Sequence, residues 1–559
     1  MRRYFAVEKF KALLLAGSFT VLASYIVRLS DSIIAGNLLG EAALAGVNLV
    51  GPCLSFVSFL GGLISAGMAT NYSISLGKCD TRRAREFFMQ GLWSVLIFGG
   101  VLSTVLFFGR EVFVSFFGAD AAVSDCASAY LSWIWPVAVL EGLVMLLVSL
   151  GYADGDGRTC MLGYVVIFVG NFVASVVAVK AGLGVAGCAI GSVIAETLGV
   201  LTMLLHFVRK SNTFHPVFHF SVLDTFRIMR ASFGDAAAFL CDGLLFFFLN
   251  KFAIMVFGPE VLPVVAVVTA LWGFLEIFNG VGVALQPIVT VYYGENNYRP
   301  IRTVLNSAMR IAVLEGLLLA AICWIFPGEI VRLVGLSEPA SVQMAASAVR
   351  CMSFGFVALA LAGLFNSYYM FIERAALAGA VTFLCYLILP VACVAAGALI
   401  GVNGVWLGLA AGPFAGLVVV SAVLLTSGTV KGFPSLLSAE NEDRVWVYDL
   451  ELTEDQIVEV SRKIGSVPGV PIRASLLTEE VFMVVRDRAR GRRLLGEATL
   501  DLRDGVQLTL RDDGEIFDIT DADQRISSLR TFLVASVMQR SDGRQNLVTT
   551  GFNRNVFRF

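Results

Sequence analysis

Residues 184–191 read Gly-Val-Ala-Gly-Cys-Ala-Ile-Gly and residues 401–408 read Gly-Val-Asn-Gly-Val-Trp-Leu-Gly, an offset of 217 positions. The same offset joins Gly77 to Gly294, Asp80 to Asn297, Arg82 to Arg299 and Tyr152 to Tyr369. A constant spacing kept through an apolar chain is the mark of a duplicated membrane domain. Apolar residues make up 57% of the chain, above the ~45–50% of soluble proteins. These features point to a protein that moves something across a bilayer.

Charge divides the chain in two. Of the 43 acidic residues, 21 lie in the last 120 positions, so the first 430 or so are poor in charge and the tail has an ordinary soluble composition. The net charge of −2 gives no reason to expect nucleic acid as a partner. The ten cysteines lie between Cys53 and Cys393 without a CxxC pair. They read as small buried hydrophobes, not as a zinc site or a disulfide framework.

A helix needs ~20 apolar residues to cross the hydrocarbon core. Twelve stretches qualify: 11–36, 42–74, 88–115, 126–150, 160–181, 185–208, 232–257, 261–292, 304–326, 342–369, 376–400 and 402–427. The first follows Arg2, Arg3 and Lys9 and is long enough to span, so it reads as an uncleaved helix. The long second and eighth stretches are expected to tilt or to project beyond the bilayer. Pro52, Pro136, Pro287 and Pro390 fall inside spans and are expected to kink them.

Basic residues alternate by loop. Lys78, Arg82, Arg83, Arg85, Arg158, Arg209, Lys210, Arg227, Arg230, Arg299, Arg302 and Arg374 share a side with the N terminus, whereas Arg110, Lys180 and Arg332 lie on the other. The positive-inside rule makes the first side cytoplasmic. Six spans per half begin and end on one side, so the two repeats are parallel. The expected fold is an all-α polytopic membrane protein of twelve transmembrane helices in two six-helix repeats, carrying a small cytoplasmic α/β sandwich. The expected divisions are an N-lobe at 1–215, a C-lobe at 216–430, a linker at 431–443 and the cytoplasmic domain at 444–559. The expected location is the cell membrane, with both termini cytoplasmic.

An acid at mid-membrane costs roughly 2.5–3.5 kcal/mol on insertion scales, so it is a functional candidate by default. Asp31 lies well inside the first span, with Arg28 three residues earlier on the same helical face. Asp31 can therefore be an ion-coupling carboxylate or half of a structural pair with Arg28. The seventh span carries Asp235, Asp242, Asn250 and Lys251. The repeat offset puts Asn250 close to the counterpart of Asp31. Asp242 can bind a cationic substrate or pair with a basic neighbour. Glu141, Glu196 and Glu276 are further acids in spans, and Glu276 sits among Trp272, Phe274 and Phe278. An acid beside aromatics suits an organic cation, although aromatics in apolar spans also simply pack. Gln286, with Asn71, Asn171, Asn279 and Asn366, is candidate polar lining or interhelical bonding.

Several of these residues fall in motifs. The run Leu29-Ser-Asp31-Ser-Ile-Ile-Ala-Gly36, then Leu39-Gly40-Glu-Ala-Ala-Leu-Ala-Gly46-Val47, resembles the first-helix signature of the MATE (multidrug and toxic compound extrusion) transporters. Gly67, Gly77-Lys-Cys-Asp80 and Arg82 fit the same family. So do Ala284-Leu-Gln286-Pro287 and Tyr292-Tyr-Gly294-Glu-Asn-Asn297 in the second half. The resemblance implies a secondary antiporter, not an enzyme, that expels amphipathic, often cationic, organic compounds in exchange for H⁺ or Na⁺. It implies alternating access of two lobes, and Asp31 as the coupling acid and a site for Na⁺. Its partners would be the bilayer and small organic substrates. A lipid-linked saccharide flippase of the same superfamily is the alternative within transport; it would favour a basic cavity, whereas the buried charges here are mainly acidic.

In the tail, 445–452 alternates like a strand, 454–464 and 471–490 read as helices, and 498–502 and 506–511 read as a hairpin about Asp504-Gly505. A helix at 525–538 and a closing strand at 547–557 complete the expectation. This order resembles the ATP-binding domain of anti-sigma-factor and histidine-kinase type proteins, through Leu477-Thr-Glu479-Glu480, Arg511-Asp512-Asp513-Gly514 and Gly551-Phe-Asn553-Arg554. The resemblance makes Glu480 and Asp513 nucleotide candidates. Val484 stands where that family has its Mg²⁺-holding Asn, and Glu515-Ile-Phe-Asp replaces the glycine-rich segment. A regulatory or docking domain, with a cytoplasmic partner, is therefore expected over a nucleotide cofactor. Arg486, Arg488, Arg490, Arg492 and Arg493 mark a solvated helix end or a face for anionic lipid. A membrane receptor signalling through this tail is the remaining alternative, and it would require an intact ATP site.

Overall fold

The computed structural model describes residues 4–117, 121–154, 156–208, 217–258, 261–333, 339–426, 434–437, 442–489, 491–514, 545–549 and 552–559. Up to Thr426 the described chain is helical. Eight segments in it are long and apolar enough to cross a membrane, or ten when two bent helix pairs count as one span each. The first helix, Phe5–Leu39, runs for 35 residues, well beyond the ~20 that a bilayer requires. Its extra turns carry the N terminus to the C-terminal domain, where Phe5 N donates to Asp449 Oδ1 at 2.8 Å.

The duplication is visible in the packing. Helices Gly157–Ala178 and Gly184–Met203 form a hairpin. A Cβ on Gly191 would lie 2.5 Å from Ser175 N, and one on its equivalent Gly408 would lie 2.2 Å from Cys393 O. Only a residue without a side chain lets two helix backbones approach so closely. This requirement accounts for the repeated glycine motif.

The bends repeat as well. Helix Ala121–Ile134 meets Val137–Ala153 at 54°, and Pro339–Ser353 meets Phe356–Phe371 at 50°. Pro136 lies at the first break, and its repeat equivalent is Ser353. Proline bends a helix by removing a backbone donor. Ser353 instead donates its hydroxyl to Arg350 O at 2.7 Å, a back-bond of the kind that bends helices. The bend thus belongs to the architecture and outlives the proline. The two long stretches form single long spans, Ala42–Gly77 and Val264–Gly294, each with a local interruption. One divides into Glu41–Leu49 and Gly51–Gly77, with Pro52 opening the second piece. The other divides into Leu262–Phe274 and Asn279–Gly294, joined by a 3₁₀ turn at Leu275–Phe278.

The halves meet in the part of the helices nearest the C-terminal domain. Gly17 faces Gly280 O, Gly67 faces Ile228 O, and Gly77 faces Gly294. The halves touch again where Tyr25 Oη donates to Ala270 O at 3.0 Å, and between them they enclose a cavity.

The C-terminal domain has five antiparallel strands, β1 (Val445–Glu451), β2 (Leu495–Asp501), β3 (Gln507–Asp512), β4 (Gln545–Thr549) and β5 (Phe552–Arg558), in the order β1-β2-β3-β5-β4. Helices Glu454–Gly465 and Ile472–Arg488 cover one face, packing Ile457, Leu477 and Val481 against Ala498, Leu500, Leu508 and Leu510. The two-residue period of a strand puts Glu497, Thr499, Arg511 and Arg554 on the opposite face. The first strand, both helices and the hairpin about Asp504-Gly505 lie where the pattern puts them. The single closing strand expected over 547–557 is instead two strands, β4 and β5, paired with each other. The helix expected at 525–538 lies outside the described residues.

Candidate functional site

Between the halves lies a cavity of about 330 Å³. Five acids line it: Asp31, Glu141 and Glu196 from the first half, Asp242 and Glu276 from the second. No lysine or arginine is among the described residues lining it. Gln286, Asn171, Asn279 and Asn366 add polar atoms, and the remaining wall is largely apolar and aromatic.

Asp31 is buried in the second half of the first helix, and the donors that hold it among the described residues are neutral. Its Oδ2 accepts from Tyr130 Oη at 2.7 Å and from Ser192 Oγ at 2.6 Å; its Oδ1 accepts from Asn171 Nδ2 at 3.2 Å. Asn171 also donates to Ser192 Oγ at 2.7 Å, and its carbonyl accepts from Ser30. These groups come from four helices, so the network ties the first half together around one carboxylate. Burial of a charge is costly unless it is bonded. Three donors offset much of that cost. The oxygens gathered here, a carboxylate, an amide carbonyl and three hydroxyls, are the donor set that hard cations take. Among the described residues no group of three or more His, Cys, Asp or Glu side chains could hold a metal ion. Arg28 lies on the same helix, three residues before Asp31, and its side chain is outside the described residues.

Glu196 lies within electrostatic reach of Glu141 and Asp31, and its Oε2 has no hydrogen-bond partner among the described residues. Glu141 accepts from Ser58 Oγ at 2.6 Å. Across the cavity, Asp242 accepts from Trp272 Nε1 at 3.1 Å. Glu276 occupies the 3₁₀ turn that interrupts its span, and that break brings its carboxyl to the cavity wall. Gln286 donates across the lobe boundary to Thr70 Oγ1 at 3.5 Å. The side chains of Asp235 and Asn250 lie outside the described residues. Lys251 is exposed, over the ring of Phe247 at 5.8 Å.

The structure therefore brings Asp31, Glu141, Asp242, Glu276 and Gln286 to one cavity. Sequence reasoning missed Tyr130 and Ser192. Ser192 directly follows the repeated glycine motif, a signal that was available; nothing in the local sequence distinguishes Tyr130 from a packing tyrosine.

The MatE family model matches residues 17–180 and 236–395, more than half of the chain and both halves of the cavity. The chain belongs to the MatE family. It is thus a transporter and not an enzyme. Among curated proteins it is similar to multidrug export protein MepA of Staphylococcus saprophyticus subsp. saprophyticus, at 24% identity over 170 residues. That match spans 30% of this chain and 38% of the relative. Among solved structures, MATE in complex with MaL6 superposes with a TM-score of 0.68 at 21% identity, covering 75% of this chain and 98% of that one. An outward-facing multidrug resistance MATE transporter of the MOP superfamily superposes at 0.67 with 20% identity, covering 76% and 99%. These likenesses confirm the fold of the membrane part.

Neither tail nucleotide candidate lines the MatE cavity. Asp513 Oδ1 accepts from Leu495 N at 2.7 Å, and its Oδ2 lies 3.8 Å from Lys9 Nζ. Glu480 is half-buried on the helix Ile472–Arg488. Arg511 and Arg554, which sequence reasoning placed in ATP-domain motifs, lie against the membrane helices instead.

Proposed function

We propose that this MatE transporter is a secondary antiporter that exports amphipathic organic cations in exchange for H⁺ or Na⁺. The observation that carries the reading is the inter-lobe cavity with five acidic and no basic side chains in its described lining. Such a wall attracts a cation and repels a pyrophosphate, which favours export of organic cations over flipping of a lipid-linked saccharide. Trp272 and Tyr386 in the same wall add faces on which a cation can rest. The similarity to a multidrug export protein supports export of drug-like compounds.

Asp31 is the coupling group in this reading. Protonation of its carboxyl, or Na⁺ taken up by its oxygens with those of Asn171, Ser192 and Tyr130, changes the bonding of helices from several parts of the first lobe. A bound ion and a bound substrate then favour different lobe arrangements, which is the thermodynamic content of exchange. Asp242 and Glu276 provide substrate contacts from the second lobe.

The architecture we propose has twelve spans in two parallel six-helix lobes, with both termini and the tail in the cytoplasm. The two helices of Gly157–Val208 and the first helix complete the ten spans counted by length and apolarity. The loop charges support the orientation. The tail acts as a regulatory domain rather than a signalling kinase.

The test is efflux of a fluorescent organic cation from proteoliposomes under separately imposed pH and Na⁺ gradients. Efflux driven by one gradient identifies the ion. No gradient-driven movement under either condition would refute the antiport reading.

A further inference from the structure

The polar face of the tail sheet is not turned to solvent. Glu497, Arg511 and Arg554 are direct neighbours across β2, β3 and β5 in the strand register. Glu295, from the loop after helix Asn279–Gly294, reaches into this row. Its Oε1 lies 2.6 Å from Arg554 Nη2, and its Oε2 pairs with Arg511. Arg511 also pairs with Glu497 at 2.5 Å and stacks 4.5 Å from the ring of Tyr292, whose hydroxyl donates to Glu497 at 2.7 Å. All of these membrane partners belong to the second lobe.

Arg554 does not stop there. Its Nη1 donates to Leu76 O at 2.9 Å and its Nη2 to Gly77 O at 3.0 Å, at the end of helix Gly51–Gly77 in the first lobe. One side chain, fully buried, thus bonds equivalent loops of both lobes at the point where Gly77 touches Gly294. Two carboxylates and two guanidiniums are sealed in this junction. Separating the lobes here would leave buried charges without partners, and breaking such a set by removing one member is strongly destabilising.

Resting on the alternating-access reading above, we infer that the tail is a lock on the lobe contact at its own end of the transporter. Docked, Arg554 and Glu295 hold that end shut while the cavity faces the other side. Opening toward the tail requires the sheet to release at least one lobe. The tail therefore sets the balance between the two arrangements, and whatever loosens its sheet face from Glu295 shifts the transporter toward the tail-open form.

The experiment is a distance measurement by double electron–electron resonance on the full-length chain in nanodiscs. Spin labels are placed at Arg82 and Arg299, exposed repeat equivalents on the two lobes, in a background with the native cysteines replaced. The unmodified junction should give one short distance. Glu295→Gln, which leaves the tail sequence intact, and Arg554→Ala should each raise the ratio of long to short distances by about tenfold or more. An unchanged distribution in both variants overturns the lock. Cation efflux by the parent protein is measured in parallel: its absence would refute the transport reading, whereas the distance result judges the lock by itself.

Discussion

Gly77 and Gly294, 217 residues apart in the sequence, lie against each other where the two lobes meet. A Cβ on Gly77 would fall 2.8 Å from Gly294 Cα, and one on Gly294 would fall 2.9 Å from Gly77 Cα. The same added atoms would meet Val291 O at 2.2 Å and Ile74 O at 2.3 Å. The pseudo-twofold axis of the duplication therefore passes through two residues with no side chain.

Substituting either glycine by alanine should force the lobes apart at this end, because the opposing atoms are backbone and cannot rotate away. Overpacking of this kind costs about 1–3 kcal/mol. The expected outcome is a lower thermal midpoint in detergent together with weakened tail docking. Gly100→Ala, where a Cβ meets nothing within 4 Å, is the control and should leave both unchanged.

Asp31→Asn should abolish gradient-driven efflux while leaving the protein folded, since an amide can still bond Tyr130 and Ser192. Tyr130→Phe removes one hydrogen bond to a carboxylate, worth about 1.5–3 kcal/mol. It should shift the ion dependence of efflux by roughly tenfold or more without abolishing transport. The measurement is the initial efflux rate against imposed pH or Na⁺. Full coupling in Asp31→Asn would remove the carboxylate from the mechanism.

The fold and the cavity were unequally legible. The glycine offset disclosed the duplication because close helix packing demands glycine at set places, and that demand is local. Asp31, Asp242 and Glu276 stood out because a charge in an apolar run is rare. Tyr130 gave no such sign, since its role arises only when its helix packs beside Asp31. The tail junction was hidden for a different reason. Glu295, Glu497, Arg511 and Arg554 are ordinary residues for loops and strands, and their pairing exists only after the sheet docks on the lobes. The Pro136 kink was legible while its partner at Ser353 was not, because a hydroxyl back-bond leaves no mark in composition.

Glu276→Gln and Asp242→Asn should each weaken binding of a permanently charged cation by about tenfold and leave an uncharged substrate nearly unaffected. Trp272 both bonds Asp242 and offers its ring to the cavity, so Trp272→Phe, which loses the bond and the stronger indole face, should also weaken cation binding. Isothermal titration with a quaternary ammonium probe checks all three. Equal losses for charged and neutral ligands would indicate a shape change in place of lost charge.

The tail should also respond to pH through Asp512. Burial pushes its carboxyl up to about 7, against hydrogen bonds from Asn553 Nδ2 at 2.7 Å and Gly514 N at 3.0 Å. Its Oδ2 has no hydrogen-bond partner among the described residues. In the unfolded chain an aspartate titrates near 3.9. Between about pH 4 and 7 the folded domain therefore binds more protons than the unfolded one, and its stability falls as pH rises through that window. A tenfold difference in proton affinity between the folded and unfolded chain corresponds to about 1.4 kcal/mol, so the loss amounts to several kcal/mol at most and is complete above about pH 7. Hydrogen exchange across 495–512 in the full-length protein, corrected for intrinsic rates, should quicken from about pH 5 to pH 8. Asp512→Asn should flatten that dependence and slow exchange at the higher pH. A variant that exchanges faster at pH 8 would mean that the charged form of Asp512 stabilises the sheet.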